Sequence, residues 1–326
     1  MTLLSFVIPC YRSELTIRSV TEEIIQTVSQ LDGYDYEIIC VNDCSPDRVY
    51  PVLKALAAEN QRIKVINFAK NMGKHSAVLA GYRYASGEYI VTLDDDMQSP
   101  VNELQRLLEP VVRDECDAAY ARFGMKRQAW WKNIGSRINS RMSEILLKKP
   151  RGMNFGNFSV YKRFVADAMA QYPNPYPYLE GLLLRTTGRI LMVDMTERER
   201  GDGQQTGYTL KKSIMLLING LTAFSVIPLR VSTLVGVVIA VFGFVLGLVM
   251  IVRKIVNPGV LMGYTSTVVL QLFMSGLILM SLGLLGEYVG RIYICINKSP
   301  QYTICETINI DKDSDFRQSE SKRPGL

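Results

Sequence analysis

Residues 89–100 read Tyr-Ile-Val-Thr-Leu-Asp-Asp-Asp-Met-Gln-Ser-Pro. Tyr89 to Leu93 is apolar and β-branched, the signature of a buried strand. Three carboxylates, Asp94, Asp95 and Asp96, begin where that strand stops. Adjacent negative charges repel one another and are costly to strip of water. A hard divalent cation bound by oxygen ligands, with substrate phosphates completing its shell, removes that cost. The plainer reading is an acidic surface turn, so the flanking sequence bears on the choice.

Leu3 to Ile8 is a short apolar strand ended by Pro9, and Glu14 to Leu31 carries apolar residues at helical spacing. Glu37 to Val41 is a second strand running into Asn42-Asp43, and Pro51 to Glu59 is a helix. Ile63 to Phe68 is a third strand. His75 to Ala85 is a helix whose small residues Ala77, Ala80 and Gly81 permit close packing on a sheet. Glu88 to Leu93 is the fourth strand. Strands alternating with helices predict an α/β fold with a parallel, doubly wound sheet. In such sheets ligands bind outside the carboxyl ends of the strands. Pro9-Cys10-Tyr11, Asn42-Asp43 and Asp94 to Asp96 all fall there, which predicts a nucleotide and metal site. Beyond Pro100 a helix over Glu103–Val112 and strands over Asp117–Ala121, Gly156–Tyr161 and Arg189–Thr196 are expected, with a loop at Glu197–Tyr208.

The chain has 326 residues and a net charge of +6, with basic clusters around Lys126–Arg141, Lys148–Arg151 and Lys211-Lys212. This balance suits phosphorylated substrates and an anionic membrane surface. Nucleic acid is not expected as a partner, since no zinc-finger spacing or aromatic-basic strand pattern occurs. The six cysteines show no Cys-x-x-Cys pair, and the sole histidine is His75. A His-rich metal centre is thereby excluded, and reduced cytosolic thiols are the economical reading. Met1 to Pro9 has no basic leader, so it reads as a strand and not a signal peptide.

Val231 to Val252 is 22 residues without a charge, and Leu261 to Gly286 is 26. Both exceed the roughly 18 apolar residues expected of a spanning helix. Thr209 to Ser225 is amphipathic, opened by Lys211 and Lys212. The predicted organisation is a cytosolic catalytic domain over 1–208 and an interfacial helix over 209–228. A two-helix transmembrane hairpin over 229–294 (spans 231–252 and 261–286) and a cytosolic tail over 295–326 with a disordered end follow.

Val7-Ile8-Pro9-Cys10-Tyr11, Val41-Asn42-Asp43-Cys44-Ser45-Pro46-Asp47, Asn71-Met72-Gly73-Lys74-His75-Ser76-Ala77 and Leu93 to Pro100 occur in one order with suitable spacing. Together they resemble the family 2 glycosyltransferases with the GT-A fold. Pro228-Leu229-Arg230 and Gly283 to Tyr293 narrow the resemblance to the polyprenyl-phosphate glycosyltransferases. Those include the undecaprenyl-phosphate formamido-arabinose and glucose transferases and, more distantly, dolichol-phosphate mannose synthase. The resemblance covers residues 3 to about 303.

The resemblance implies a Rossmann-like GT-A catalytic domain and an inverting transfer of sugar from a nucleotide-sugar, a UDP-sugar by analogy, to undecaprenyl phosphate. It implies Asp94 and Asp96 as the Asp-x-Asp acids, with Asp96 and Gln98 ligating Mg²⁺ or Mn²⁺. It implies Pro9, Tyr11, Asp43, Lys74 and Asp94 around the nucleotide. Arg122 and Arg200 match family arginines near the phosphates, where a guanidinium fork binds oxygens in pairs. Relatives carry an acid in a Gly-Asp-Phe stretch where this chain has Gly156-Asn157-Phe158. Asn157 hydrogen-bonds but takes no proton. A phosphate monoester is largely ionised at neutral pH and needs no strong base. Cys44 stands where glycine is expected. A tetramer in the bacterial cytoplasmic membrane, multi-pass with a cytosolic catalytic domain, completes the expectation.

Rival readings are weaker. The Gln-x-x-Arg-Trp motif of a processive polysaccharide synthase is missing around Trp130 and Trp131. No Gly-x-Gly-x-x-Gly follows the first strand, as a nicotinamide enzyme requires. A transferase-like scaffold without activity would have lost the metal acids, yet Asp94, Asp96 and Gln98 are present.

Overall fold

The computed structural model describes residues 1–123, 153, 155–175, 177–196, 198, 227–257, 263–297 and 300–310. Arg200, the amphipathic segment 209–225, the basic stretch beyond Phe123 and the polar end 311–326 lie outside the described residues. The described elements form two compact units, a sheet unit and a pair of apolar helices.

The sheet unit opens with β1 (Thr2–Cys10), α1 (Ile17–Ser29), β2 (Tyr34–Asn42), α2 (Val49–Glu59), β3 (Ile63–Phe68), α3 (Lys74–Tyr84) and β4 (Tyr89–Thr92). A 3₁₀ turn at Val101–Glu103 leads into α4 (Leu104–Val112), followed by β5 (Ala118–Phe123) and β6 (Ser159–Lys162). α5 (Arg163–Ala170), α6 (Leu179–Thr186), β7 (Ile190–Met195) and β8 (Ile304–Ile308) complete it. The eight strands lie in the order β7-β5-β6-β4-β1-β2-β3-β8.

The expected parallel core is present: β1 pairs in parallel with both β2 and β4, and β2 with β3. The sheet as a whole is mixed, because β6 runs antiparallel to β4 and β5, and β8 antiparallel to β3. Three described elements were not foreseen, α5, α6 and β8. The strand β8 sits in the expected tail, where five residues, none fully buried and without alternating exposure, carry little periodic signal.

Leu4, Phe6, Ile8 and Cys10 alternate along β1 and face a core built with Ile17, Val20 and Ile24 of α1, Leu53 of α2 and Leu104, Leu107 and Leu108 of α4. Val7 points the other way, towards α3. A Cβ on Gly81 would lie 2.3 Å from Val7 Cγ1, so the small-residue face of α3 lets helix and sheet approach to contact. At the amino edge Glu37 is buried and accepts from Lys64 Nζ at 2.6 Å, from Ser5 Oγ and from the Ser86 amide at 2.5 Å. Burial raises its pKa, and those donors reverse the shift to a net lowering.

The second unit consists of α7 (Ile227–Val256) and α8 (Tyr264–Ile296). Within it the hydroxyls of Ser232 and Ser281 lie 3.0 Å apart. Large apolar side chains such as Leu234, Phe242, Phe244, Leu279 and Ile292 are exposed. Among the described residues Phe273–Ile296 is the one stretch long and apolar enough to cross a membrane by length and composition, and Ser232–Val245 is shorter.

Candidate active site

The chain runs β1, β2, β3 in one direction across the sheet and then returns to place β4 on the other side of β1. The order therefore reverses between β1 and β4, and a crevice opens at their carboxyl ends. Cys10-Tyr11 and Asp94-Asp95-Asp96 flank that crevice. The Asp95 carboxylate spans it, accepting the Tyr11 amide at 3.0 Å, while the Asp95 carbonyl accepts from Thr16 Oγ1 at 2.5 Å. Burial raises the Asp95 carboxyl to about 6, against the pull of Ser13 and the Tyr11 amide. The middle aspartate thus fastens the first loop to the acidic turn, a role no sequence pattern around it announces.

Each of the three carboxyl-end turns holds a non-glycine residue in the left-handed region: Arg12 (φ 60°), Cys44 (φ 49°) and Met97 (φ 63°). Such residues cost roughly 1–2 kcal/mol each and cluster where surrounding structure holds a site in place. The value at Cys44 supplies the physical reason glycine was expected there.

Asp43 is buried at the end of β2. Its two oxygens accept the amides of Met72 (2.6 Å) and Gly73 (2.8 Å), and its carbonyl accepts from Asn71 Nδ2 at 3.1 Å. Burial raises its pKa, opposed by those amides. Its place in the fold is thus to hold the turn ahead of α3, whose first residue is Lys74. The Lys74 ammonium lies 2.6 Å from Asp94 Oδ1 and 2.9 Å from Oδ2. His75 Nδ1 accepts the Leu179 amide at 3.0 Å, and its ring stacks on Tyr178 at 5.8 Å. Burial, with Lys74 adding to it, lowers the His75 pKa to about 4. His75 is neutral and ties α3 to α6.

A cleft of about 120 Å³ is lined by Asp94, Asp96, Gln98, Ser99, Phe123, Phe155, Gly156 and Asn157. It brings together four of the predicted residues: Asp94, Asp96, Gln98 and Asn157. Asp96 Oδ1 accepts the Gln98 amide at 3.1 Å, which curls the turn so that both side chains share one wall. Gln98 Nε2 donates to the Arg198 carbonyl at 3.5 Å, which assigns its amide oxygen to the other side. The opposite wall depends on Gly156, where a Cβ would sit 2.3 Å from the Ala121 carbonyl oxygen. Phe123 and Phe155 were not predicted, and only the glycine between Phe155 and Asn157 hinted at a close approach.

Pro9 is buried within β1, opposite Val41, and Tyr11 is exposed beside the crevice. Arg122 does not reach the cleft. Successive strand residues face opposite sides, and Phe123 takes the cleft side. Arg122 instead forks onto Asp194, its register partner on β7, at 2.5 and 2.7 Å. Arg198 is likewise engaged, with Glu23 at 2.7 Å and with Asn102. Arg200 lies outside the described residues.

Among the described residues no group of three His, Cys, Asp or Glu side chains forms a cage for a metal ion. The all-oxygen pair Asp96 and Gln98 fits the other mode, in which one or two protein oxygens bind a hard cation and substrate phosphates supply the rest.

The family profile described as Glycosyl transferase family 2 matches residues 5–169. A prophage bactoprenol glucosyl transferase homolog of Escherichia coli (strain K12) is 30% identical over 312 residues, covering 92% of this chain and 98% of that protein. The undecaprenyl-phosphate 4-deoxy-4-formamido-L-arabinose transferase of Proteus mirabilis (strain HI4320) is 30% identical over 326 residues, covering 97% of each. Among solved structures, glucosyl-3-phosphoglycerate synthase from Mycobacterium tuberculosis, in complex with Mn²⁺ and UDP-glucose, superposes with a TM-score of 0.52 at 16% identity, covering 68% of this chain and 77% of that one. At that identity the likeness speaks for the fold alone, a GT-A-like mixed α/β sheet.

Proposed function

The chain belongs to glycosyl transferase family 2 and is a glycosyltransferase, and we propose that it moves a sugar from a nucleotide-sugar to a polyprenyl phosphate. The convergence of Asp94, Asp96, Gln98 and Asn157 on one cleft at the switch point carries this reading. The acceptor class is supported by relatives aligned over nearly their whole length whose names specify bactoprenol and undecaprenyl phosphate.

In this reading Asp96 and Gln98 hold Mg²⁺ or Mn²⁺, which supplies positive charge to the leaving diphosphate. Lys74, oriented by Asp94, adds a second cationic group at the same edge. Tyr11 and Pro9 border the nucleotide, and Asp43 sets the turn that presents Lys74. Asn157 donates a hydrogen bond to the acceptor or the sugar. The nucleophile is an ionised phosphate oxygen of the acceptor, which attacks the anomeric carbon as the bond to the nucleotide diphosphate breaks. The donor is a UDP-sugar by analogy, and Arg200 is assigned to the phosphates.

The helices α7 and α8 are 30 and 33 residues long, about 45 and 50 Å at 1.5 Å per residue. We assign them to a hairpin crossing the bacterial cytoplasmic membrane twice, with the catalytic unit on the cytosolic side. The exposed apolar side chains of both helices support this.

The test uses detergent-solubilised full-length protein, undecaprenyl phosphate and a panel of sugar nucleotides, with nucleotide release and product mass as readouts. Metal-dependent release requiring the lipid is expected, and Asp96→Ala abolishes it without unfolding the protein. No metal-dependent release across a broad panel would overturn the reading. Release without lipid would replace the acceptor.

A further inference from the structure

The residues after α8 are built into the sheet unit. Ala69 donates its amide to the Thr303 carbonyl at 2.9 Å, and Tyr302 stacks on Phe68 with ring centroids 4.9 Å apart. Asn309 Nδ2 donates to the carbonyls of Ala57 and Ile63 at 2.7 and 2.9 Å, and Gln301 Nε2 to those of Tyr172 and Asn174 at 3.3 and 2.9 Å.

One set of these contacts runs inward to the donor edge. Cys305 Sγ donates to the Asn67 carbonyl at 3.4 Å and accepts from Asn67 Nδ2 at 3.2 Å. Asn67 Oδ1 accepts from Asn42 Nδ2 at 2.7 Å. Asn42 is buried, and its Oδ1 accepts the Ser45 amide at 3.2 Å. Ser45 Oγ in turn accepts the Arg12 amide at 2.8 Å and donates to Asp47 Oδ1 at 2.6 Å. Cys305 on β8 is thereby connected through two carboxamides to the turn bearing Asp43 and to the loop bearing Tyr11.

We propose that Asn67 and Cys305 are positioning residues: β8 is a latch whose docking sets the Asn42–Ser45 turn for the nucleotide of the donor. This rests on the donor-site reading above. Asn67 uses both ends of its amide, so neither an acid nor an apolar side chain replaces it. The buried Asn42 depends on Asn67 for its orientation, and an amide pair turned the wrong way withdraws the acceptor from Ser45. A merely structural β8 would lose stability on mutation without disturbing that turn selectively.

The experiment compares full-length wild type, Asn67→Leu, Cys305→Val and Cys305→Ser in detergent. Hydrogen exchange is followed on peptides spanning residues 40–49, and donor KM is measured with UDP-glucose as the probe. Asn67→Leu and Cys305→Val should exchange faster across 42–47 and raise the donor KM about three- to tenfold, the range of one or two lost neutral hydrogen bonds. Cys305→Ser, which keeps a donor and an acceptor, should match wild type. If Asn67→Leu does not fold, Cys305→Val carries the test, since its side chain is exposed. Unchanged exchange across 42–47 in the folded variants overturns the latch, and so does faster exchange with unchanged KM. Absence of any UDP-glucose turnover in the wild type counts against that donor, and exchange alone then decides the latch.

Discussion

The ammonium of Lys74 lies 2.6 Å from Asp94 Oδ1, one residue at the start of α3 and the other two residues past the end of β4. The contact joins two motifs 20 residues apart. It sets one cation against three adjacent carboxylates, so the acidic turn enters the site part-neutralised. Removing Lys74 leaves Asp94 beside Asp95 and Asp96 with its cationic partner gone.

Lys74→Met should lower donor kcat/KM by on the order of a hundredfold, the scale of losing one preorganised electrostatic contact. Because Lys74 competes with any cation for the field of Asp94, the same variant should bind Mn²⁺ more tightly. Paired donor kinetics and Mn²⁺ titration check both signs. Weaker Mn²⁺ binding in a folded Lys74→Met protein would mean that Lys74 organises the acids and does not compete with the ion.

The positive φ at Cys44 yields a stability prediction. Relieving a left-handed side chain is worth roughly 1 kcal/mol, partly offset by the roughly 0.5–1 kcal/mol that glycine loses in chain entropy. Cys44→Gly should therefore leave stability unchanged or slightly higher. Cys44→Val, β-branched at the same φ, should destabilise by about 1–2 kcal/mol. Chemical denaturation of the two variants decides; equal stabilities would remove strain as the account of this position.

Alternation of apolar strands and helices made the parallel half of the sheet legible up to Thr92, because each of those segments has a clear period. Ile63–Phe68 matches its predicted bounds, and Gly81 of α3 meets Val7 as its size foretold. Legibility fell where pairing is long-range. β8 is drawn into the sheet by β3, a partner more than 230 residues away, and its own residues carry no comparable pattern. The acidic turn stood out because charge repulsion in Asp94 to Asp96 demands an explanation, and it lines the cleft. Asp95 was not distinguishable from its neighbours, since its role comes from meeting the Tyr11 amide. The partner of Arg122 was hidden for a related reason: only the pairing of β5 with β7 reveals that Asp194 faces it.

His75 gives the chain a pH signature. Its folded pKa is lowered to about 4 from an ordinary value of 6.5, so protonation favours the unfolded chain. The stability that depends on the neutral ring is fully present above pH 6.5 and is lost as pH falls towards 4. The slope is at most about 1.4 kcal/mol per pH unit. His75→Gln keeps an acceptor for the Leu179 amide without a titrating ring. Its melting temperature should decline less steeply than wild type between pH 6.5 and 4.5. Parallel curves would show that His75 protonates in place without cost.

Asn157 lines the cleft with Asp94, Asp96 and Gln98, and its amide hydrogen-bonds but takes no proton. If the nucleophile is the ionised phosphate proposed above, no base is needed there, and the pH dependence belongs to the acceptor. The kcat/KM for undecaprenyl phosphate should rise through a pKa near 6, the second ionisation of a phosphate monoester. Asn157→Asp places a carboxylate beside an anionic acceptor, which disfavours binding and offers a base to a group already deprotonated. The expected result is a higher acceptor KM, a kcat within about tenfold of wild type and the same pKa in the profile. A kcat gain beyond that range, with the profile displaced to a new pKa, would show that proton removal limits the reaction and that position 157 is where a base belongs.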